Sequence, residues 1–324
     1  MSARVVVLVA ALTLTLAGCS ASPTPPPSVS VPPAPVRPAG AQEITAAPQA
    51  AGADCGDPEA SLAPGPVPPQ GAMPPGSTMA AIQERGRLIV GVDQNTFMFG
   101  FRDPTTGQLE GFDIDLAREI ARAVFGDPDR IDLRVVDAGQ RESALESGQV
   151  DVVVRTFSIT CERKQKVDFS TTYYYANQRI LAPKDSGIDS VPDLLGKRVC
   201  AVSGTTSLVR LFALTPRPTV IGVSNWTDCL LMLQQGQVDA ISTDDAVLKG
   251  LARQDPNVEV VGPSLGVEPY GVGVKKSNDD LVRFVNGVLE QVRADGTWER
   301  LYDRWLHSLG SSPGPPAPRY GDRP

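Results

Sequence analysis

Short apolar runs and helical stripes alternate through the middle of the chain. Apolar, often β-branched runs bounded by polar residues are typical of buried strands. Here they cover residues 88–92, 131–136 and 150–154. After the first run, apolar side chains recur at every fourth position, at Phe112, Leu116, Ile120 and Val124. This spacing predicts an amphipathic helix that Gly126 can end, and a second helix is predicted at 141–146. The order β-α-β-α-β calls for a parallel sheet with right-handed crossovers.

The same pattern returns after a tyrosine-rich stretch at 172–175, where we expect the chain to cross into a second lobe. The predicted strands there cover 178–182, 198–202, 219–223 and 238–242, and the predicted helices cover 208–214, 226–235 and 246–254. A strand-like run at 258–261 precedes the segment 268–271, where we place the return crossing, and a strand at 272–274. Two amphipathic stretches, at 281–292 and 296–306, should pack on the first lobe.

The start of the chain has the pattern of an export signal. Arg4 is the only charge before an apolar run that is too short to span a bilayer. The run closes on Leu16-Ala17-Gly18-Cys19, which resembles a bacterial lipobox. We therefore expect a lipoprotein signal peptide over residues 1–18 and a lipid on Cys19, on the outer face of the cytoplasmic membrane. A coincidental small-residue cleavage site is the alternative.

Two further segments lack apolar periodicity. Proline and alanine dominate residues 19–77, which predicts an extended tether, and residues 310–324 are expected to be a disordered tail. About 230 residues remain between them, which is enough for two lobes.

Charge and residue counts exclude several classes of function. A net charge of −7 opposes a nucleic-acid partner, because a phosphate-binding surface needs a basic excess. A single histidine, His307, and no C-x-x-C disfavour a metal site and nearly exclude catalytic triads that need histidine. We expect no metal and no cofactor. With Cys19 assigned to lipid, four cysteines remain and allow three pairings in an oxidising compartment: Cys55, Cys161, Cys200 and Cys229.

Polar side chains gather where the predicted strand 150–154 ends. Small hydroxyls follow it at Thr156, Ser158 and Thr160, and Arg163 comes next. An arginine fork and hydroxyls suit a carboxylate, so the implied ligand group is an anion. Solvation of the arginine and simple capping by the hydroxyls are the alternatives.

Two other strand ends carry candidate ligand groups. The turn 203–207 opens a helix with small residues, which leaves backbone N–H groups and the positive end of the helix dipole for an anion. Asp244 and Asp245 follow the predicted strand 238–242, where α/β folds place ligand groups. Capping of the next helix is the alternative for these acids.

Eight short motifs occur in a fixed order over nearly the whole core. They are 91–93 (GVD), 111–115 (GFDID), 148–151 (GQVD), 158–163 (SITCER), 167–170 (VDFS), 203–207 (SGTTS), 238–240 (VDA) with Asp244, and 295–298 (DGTW). Together they resemble the polar amino-acid-binding proteins of ABC importers, solute-binding family 3. With the lipobox and the spacer, the chain is most similar to the glutamine- or glutamate-binding lipoproteins of actinobacteria.

The resemblance implies an α/β, two-lobed periplasmic-binding-protein fold of type II, with two parallel-sheet lobes joined by two hinge strands. Lobe 1 would comprise residues 78–177 and 271–309, and lobe 2 would comprise 178–270. Such lobes close on one amino acid.

The resemblance also implies roles for individual residues. Arg163 would grip the ligand α-carboxylate, helped by Ser158, the backbone at Thr156 and the N–H of Thr206. Asp244 would take the α-ammonium. The chain departs from many members at 137–141 (DAGQR), where an aromatic shelf is missing, and at Cys161.

The ligand side chain could meet two residues of opposite charge. Arg141 matches the position at which glutamate- and aspartate-binding relatives hold a side-chain carboxylate, whereas Asp93 would prefer an amide NH₂. Asp93 can be neutralised by Arg141, another cation or a backbone N–H, but an arginine buried without an anion cannot. We therefore expect glutamate or aspartate ahead of asparagine and glutamine. Phe97 is a candidate wall of the site, with lobe-edge packing as the alternative.

The resulting expectation is a monomeric, lipid-anchored receptor that delivers a polar amino acid to an ABC permease. A sensor that feeds a membrane signalling protein is the alternative, and a dehydratase-like enzyme on the same fold is a remote one. A purely structural lipoprotein would not need Arg163, Ser158 and Asp244 together.

For the cysteines we choose Cys200–Cys229 and Cys55–Cys161. Cys200 ends a predicted strand and Cys229 lies in the helix two elements later, so a short path can bring their Cα atoms within bonding range. The second pair follows by elimination.

Overall fold

The computed structural model describes residues 37–48 and 54–321. The predicted signal peptide, Cys19 and the start of the predicted tether lie outside these residues. None of the helices in the described ranges has the length and apolar character needed to cross a membrane.

The strands and helices follow the predicted alternation. The strands are β1 (Gln42–Glu43), β2 (Leu88–Val92), β3 (Asn95–Thr96), β4 (Gly100–Arg102), β5 (Leu109–Glu110), β6 (Ile131–Val135), β7 (Val152–Val153), β8 (Val167–Phe169), β9 (Tyr174–Pro183), β10 (Arg198–Val202), β11 (Thr219–Val223), β12 (Ala240–Asp244), β13 (Val258–Tyr270) and β14 (Gly273–Lys275). The helices are α1 (Thr78–Arg85), α2 (Phe112–Phe125), α3 (Arg141–Glu146), α4 (Cys161–Lys164), α5 (Thr206–Ala213), α6 (Trp226–Gln234), α7 (Asp245–Ala252), α8 (Asp279–Ala294) and α9 (Thr297–Trp305).

The first lobe is built on a five-stranded sheet with the order β6-β2-β7-β14-β8. Strand β2 runs parallel to β6 and β7, whereas β14 is antiparallel to β7 and β8. The sheet is therefore mixed and not purely parallel, because β14 enters it from the second lobe. Helices α2, α8 and α9 pack on one another over a core that includes Phe112 and Trp298. The apolar stripes predicted for these helices are the surfaces they bury.

The second lobe is built on a six-stranded sheet with the order β1-β11-β10-β12-β9-β13. Strand β10 is parallel to β11 and β12, as the βα pattern predicts. The two remaining neighbours, β9 and β13, are antiparallel to the strands beside them. Hence this sheet too is mixed, and the expectation of two parallel sheets is corrected for both lobes.

Two long antiparallel strands connect the lobes. The chain leaves the first sheet after β8 and enters the second through β9, and it returns through β13 to β14. Tyr174 lies opposite Tyr270 where the two strands meet the first lobe. Strand β13 is longer than the predicted run at 258–261, because it continues past a register shift between Val261 and Gly266. Gly262 and Pro263 interrupt the apolar run there, so the sequence pattern ends before the strand does.

Segments predicted as tether and tail are partly folded against this core. Strand β1 pairs with β11 at the edge of the second sheet, and Met73 is buried on the first lobe. Ser61 forms a parallel bridge with Tyr320, so the two segments also meet each other. Irregularly spaced apolar residues and backbone hydrogen bonds hold them, and neither leaves a periodic signal in the sequence.

Both predicted disulfides are present. Cys55 is bonded to Cys161 with a Cα–Cα distance of 5.4 Å, and Cys200 to Cys229 at 5.6 Å. The first pair fastens the N-terminal extension to the start of α4.

Candidate ligand-binding site

A small enclosed cavity lies between the lobes. It is lined by Arg141, Arg155, Thr156, Ser158, Thr205, Thr206, Ser207, Trp226, Thr243, Asp244 and Val247. Its volume is about 10 Å³. Small-molecule sites usually enclose about 300–1,000 Å³, so the lobes must separate before a ligand enters.

Asp244 supplies the acidic side of the cavity from the end of β12. Its Oδ2 accepts a hydrogen bond from the Tyr270 hydroxyl, and its buried Oδ1 has no hydrogen-bond partner among the described residues. Burial, with the nearby Glu268 carboxylate second, raises the pKa of Asp244 to about 7. An unpartnered buried carboxylate oxygen is costly unless a ligand donor meets it.

The alternative role of a helix cap does not fit Asp244. Its side chain makes no capping hydrogen bond to α7. Asp245 instead accepts from its own helix at Ala246 N, at 2.8 Å, and from Asn177 N, at 3.2 Å. Asp245 thus bonds to backbone N–H groups, and the role of Asp244 as the partner of a ligand ammonium stays a prediction.

Arg155 also lines the cavity, although the sequence pattern did not single it out. It is 3% exposed, its Nη2 lies 3.1 Å from Asp93 Oδ2, and its buried Nε has no hydrogen-bond partner among the described residues. The sequence did contain a signal for Arg155. It directly follows the apolar run 150–154, and ligand groups are expected at that end of a strand.

Asp93 faces Arg155 and a turn, not the cavity. Its Oδ1 accepts from Gln94 N at 2.7 Å and from Asn95 N at 3.2 Å, and its Oδ2 accepts from Thr96 Oγ1 at 2.6 Å. Asp93 does not line the cavity in this closed arrangement, and its contact with a ligand amide stays a prediction. Arg155 and two backbone N–H groups neutralise the Asp93 carboxylate. This was the alternative that the sequence left open for Asp93.

Arg141 lines the cavity, but backbone oxygens take its donors. Its Nε donates to Ala138 O at 2.8 Å, and its Nη1 to Arg155 O and Thr156 O, both at 3.3 Å. Its Nη2 reaches across to Gly204 O of the second lobe at 3.2 Å. Burial first, then the charges of Arg163 and Arg155, lower the pKa of Arg141. The same positive charges favour an anion in the cavity.

Arg163 lines an open groove beside the cavity and does not face Asp244 in this closed arrangement. Its Nη1 donates to Ser158 O at 2.7 Å and its Nη2 to Gly204 O at 3.2 Å, while its Nε lies 3.7 Å from Glu142 Oε1. Both Arg163 and Arg141 also lie over the Phe157 ring. The two arginines thus hold the first lobe against the turn at Gly204.

The predicted hydroxyls meet at the cavity. Ser158 Oγ lies 3.4 Å from Thr206 Oγ1 across the two lobes, and Thr206 Oγ1 donates to Glu268 Oε2 at 2.7 Å. Thr206 is the first residue of α5, and the hydroxyl of Thr205 caps that helix. The predicted anion-binding turn is therefore at the cavity wall. Thr160, by contrast, caps α4 by accepting from Arg163 N.

Thr156 has an unusual backbone conformation, with φ of 39°. Its N–H donates to Asp113 Oδ2 at 2.8 Å, and Tyr173 donates to the other oxygen of Asp113 at 2.8 Å. Burial raises the pKa of Asp113 to about 7. A left-handed conformation in a threonine costs free energy and is typical of functional sites, and Asp113 holds it in place.

Phe97 lies outside the cavity and packs at the edge of the lobe, which was the alternative. Its ring centroid is 4.9 Å from that of Phe101, and Arg253 lies 5.9 Å from its centroid. The aromatic side chain that lines the cavity is that of Trp226, the first residue of α6. Glu268 was also missed; it is 1% exposed and lies 2.6 Å from Arg210.

No group of histidine, cysteine, aspartate or glutamate side chains within the described ranges could hold a metal ion. His307 is exposed.

Two α/β lobes, two connecting strands and a charged cleft define the class of extracellular solute-binding proteins. Residues 88–308 match the bacterial extracellular solute-binding proteins, family 3, and the chain belongs to this family.

Similar proteins include the ABC transporter glutamine-binding protein GlnH of Bacillus subtilis, which is 37% identical over 71% of this chain and 84% of the relative. The glutamate-binding protein GluB of Corynebacterium glutamicum is 31% identical over 69% of this chain and 79% of its own length. Among solved structures, the solute receptor for L-cysteine of Neisseria gonorrhoeae aligns with a TM-score of 0.70 and 29% identity, over 73% of this chain and 98% of that one. The named relatives are binding proteins.

Proposed function

We propose that this protein is a receptor for a free polar amino acid. The observation that carries the proposal is the pairing of opposite charges in one buried cavity. Asp244 Oδ1 has no partner among the described residues, and two arginines, Arg141 and Arg155, line the same cavity with several hydroxyls. A zwitterion matches both charges, with its ammonium on Asp244 and its carboxylate on the arginines and hydroxyls. The names of the relatives that bind glutamine and glutamate agree with this ligand class.

Acidic amino acids should bind more tightly than their amides. Arg155 is balanced by Asp93, and the ligand ammonium would balance Asp244. Arg141 donates only to backbone carbonyl oxygens among the described residues, so its charge remains available to balance an anion. A second ligand carboxylate would offset this excess. Glutamate and aspartate are thus preferred, followed by asparagine and glutamine.

We further propose that lobe closure presents the bound amino acid to an ABC permease. Contacts between the lobes support a closing motion, since Arg141 and Arg163 of the first lobe both donate to Gly204 O of the second. A lipid on Cys19 would keep the receptor at the outer face of the membrane, next to such a permease. This placement depends on the lipobox-like sequence before Cys19.

Calorimetric titration of the mature protein against all twenty amino acids tests the ligand class. We expect measurable heats for aspartate, glutamate, asparagine and glutamine, and a free energy of unfolding raised by about 2.7 kcal/mol at a ligand concentration of 100 Kd. No binding by any amino acid would refute the proposed function.

Membrane delivery needs a separate experiment. Metabolic labelling with a fatty acid should mark the wild-type chain, and Cys19→Ala should lose the label. Retention of the label in that variant would contradict lipidation at Cys19.

A further inference from the structure

Three buried arginines, Arg141, Arg155 and Arg163, lie at the cleft, and they differ in how many of their N–H donors have partners. Arg141 and Arg163 each donate to backbone carbonyl oxygens on both lobes. Arg155 alone among the three has a buried nitrogen, Nε, without a partner in the described residues. Arg155 also lines the cavity, so the buried unpartnered donor belongs to a cavity-lining residue.

The orientation of Arg155 is supported by two carboxylates that do not line the cavity, Asp93 and Asp113. Asp93 lies 3.1 Å from Nη2, and three donors from the following turn hold Asp93 in turn. At the next residue along the chain, the left-handed backbone of Thr156 is tied to Asp113 by a hydrogen bond of 2.8 Å. A side chain locked by such supporting contacts binds a ligand group with little loss of entropy.

A guanidinium has five N–H donors arranged along separate edges. One edge of Arg155 can therefore remain on Asp93 while Nε and its neighbouring N–H meet a second carboxylate. We propose that Arg155, oriented by Asp93, is the residue that reads the ligand side chain and selects a carboxylate over an amide. This inference rests on the proposed amino-acid receptor function: Arg141 supplies the uncompensated positive charge, and Arg155 supplies the hydrogen-bond donor that reads the side chain.

The test compares affinities for aspartate, glutamate, asparagine and glutamine in the wild type and in the double variant Asp93→Asn with Arg155→Gln. Replacing both partners avoids leaving one charge buried alone. We expect the Kd for the acids to rise at least about a hundredfold and the Kd for the amides to change less than about tenfold, because the lost contact is a charged hydrogen bond. The ratio of acid to amide affinity should fall accordingly.

Arg118→Gln is the matched control. Arg118 belongs to the same lobe, is paired with Asp115 at 2.8 Å and also has an unpartnered Nε, but it does not line the cavity. Its substitution should leave the acid-to-amide ratio unchanged. Arg155→Lys covers the case in which the double variant does not fold: it keeps a positive charge beside Asp93, and it should weaken acid binding by about tenfold through loss of the fork geometry.

Each outcome decides the assignment. A selective loss of acid binding in the double variant, or in Arg155→Lys where only that variant folds, supports it. An unchanged ratio, an equal loss for all four ligands, or a wild type that prefers amides overturns it while the receptor function stands. A wild type that binds no amino acid overturns the proposed function as well, so the two failures are distinguishable.

Discussion

At the residue scale, the ionisation of Asp244 links ligand binding to pH. Burial raises its pKa to about 7, and an α-ammonium pairs with the ionised form. Below that pH a proton must leave before the ligand binds, so the Kd should rise by about tenfold per pH unit. The stability of the ligand-free protein depends on pH in the opposite direction to ligand binding. The folded state holds this proton more tightly than the unfolded chain, so protonation of Asp244 favours folding. This contribution to stability is present at low pH and is lost as the pH rises through about 7.

Titration of Kd against pH in wild type and Asp244→Asn checks this linkage. The variant should bind weakly and lose the pH dependence, and desamino analogues should be affected less than amino acids. Asp113 has a pKa raised to about 7 as well, so Asp113→Asn is the control, and it should keep the pH dependence. A larger effect of Asp245→Asn would show that Asp245, and not Asp244, contacts the ammonium.

Arg163 remains the predicted partner of the ligand α-carboxylate. We expect Arg163→Ala to weaken amino-acid binding at least about a hundredfold with the fold intact, since a charged hydrogen-bond donor is removed. Its bond to Gly204 O adds a contact between the lobes that the variant also loses. Calorimetry measures the change, and circular dichroism confirms the fold. Near-wild-type affinity in the variant would falsify this assignment.

At the element scale, two turns approach each other across the cleft. Gly204 lies in the turn before α5 with φ of 75°, and a β-carbon built there would lie 2.4 Å from Gly139 Cα of the first lobe. No side chain fits this gap. Residues 137–141, which lack the aromatic residue of many family members, therefore approach the turn at Gly204 closely through Gly139.

Gly204→Ala should therefore hinder closure and weaken binding by at least about tenfold, or 1.4 kcal/mol. Gly139→Ala is the matched control, because its β-carbon would meet nothing nearer than 3.8 Å. Calorimetry gives both affinities, and small-angle scattering with saturating ligand reports closure. Equal affinities in the two variants would show that this contact does not limit closure.

At the scale of the whole molecule, the N-terminal extension joins the core at several points. The disulfide at Cys55 fastens it to α4, and Glu59 accepts hydrogen bonds from Thr172 and Tyr175 near the start of β9. Arg319 from the C-terminal segment approaches Glu59 to 3.3 Å. The two terminal segments thus contribute to the stability of the first lobe.

Removing this disulfide should lower the melting temperature more than removing the other. The pair Cys55–Cys161 spans 106 residues and Cys200–Cys229 spans 29, so the chain-entropy estimate differs by about 1 kcal/mol. Calorimetric melting of the variants Cys55→Ser with Cys161→Ser, and Cys200→Ser with Cys229→Ser, measures the difference. A larger loss in the second variant would show that local packing outweighs chain entropy.

The sequence alone determined the elements that depend on local pattern. The stripe of α2, the apolar runs of β2, β10 and β11, and the order of the βα units follow from side-chain periodicity, which neighbouring residues decide. Strand ends marked Ser158, Thr206 and Asp244 as separate candidates, and the family resemblance implied that they share one site; all three line one cavity.

Only the tertiary structure decided how the buried charges are paired. Asp93 meets Arg155 across 62 positions of sequence, and Arg141 and Arg163 meet the backbone at Gly204. The length of β13 past Gly262 and the docking of the terminal segments were likewise settled by contacts between distant parts of the chain. Such contacts leave no periodic signal, since one residue of each type can satisfy them, and the partner of a buried charge is chosen by packing in three dimensions.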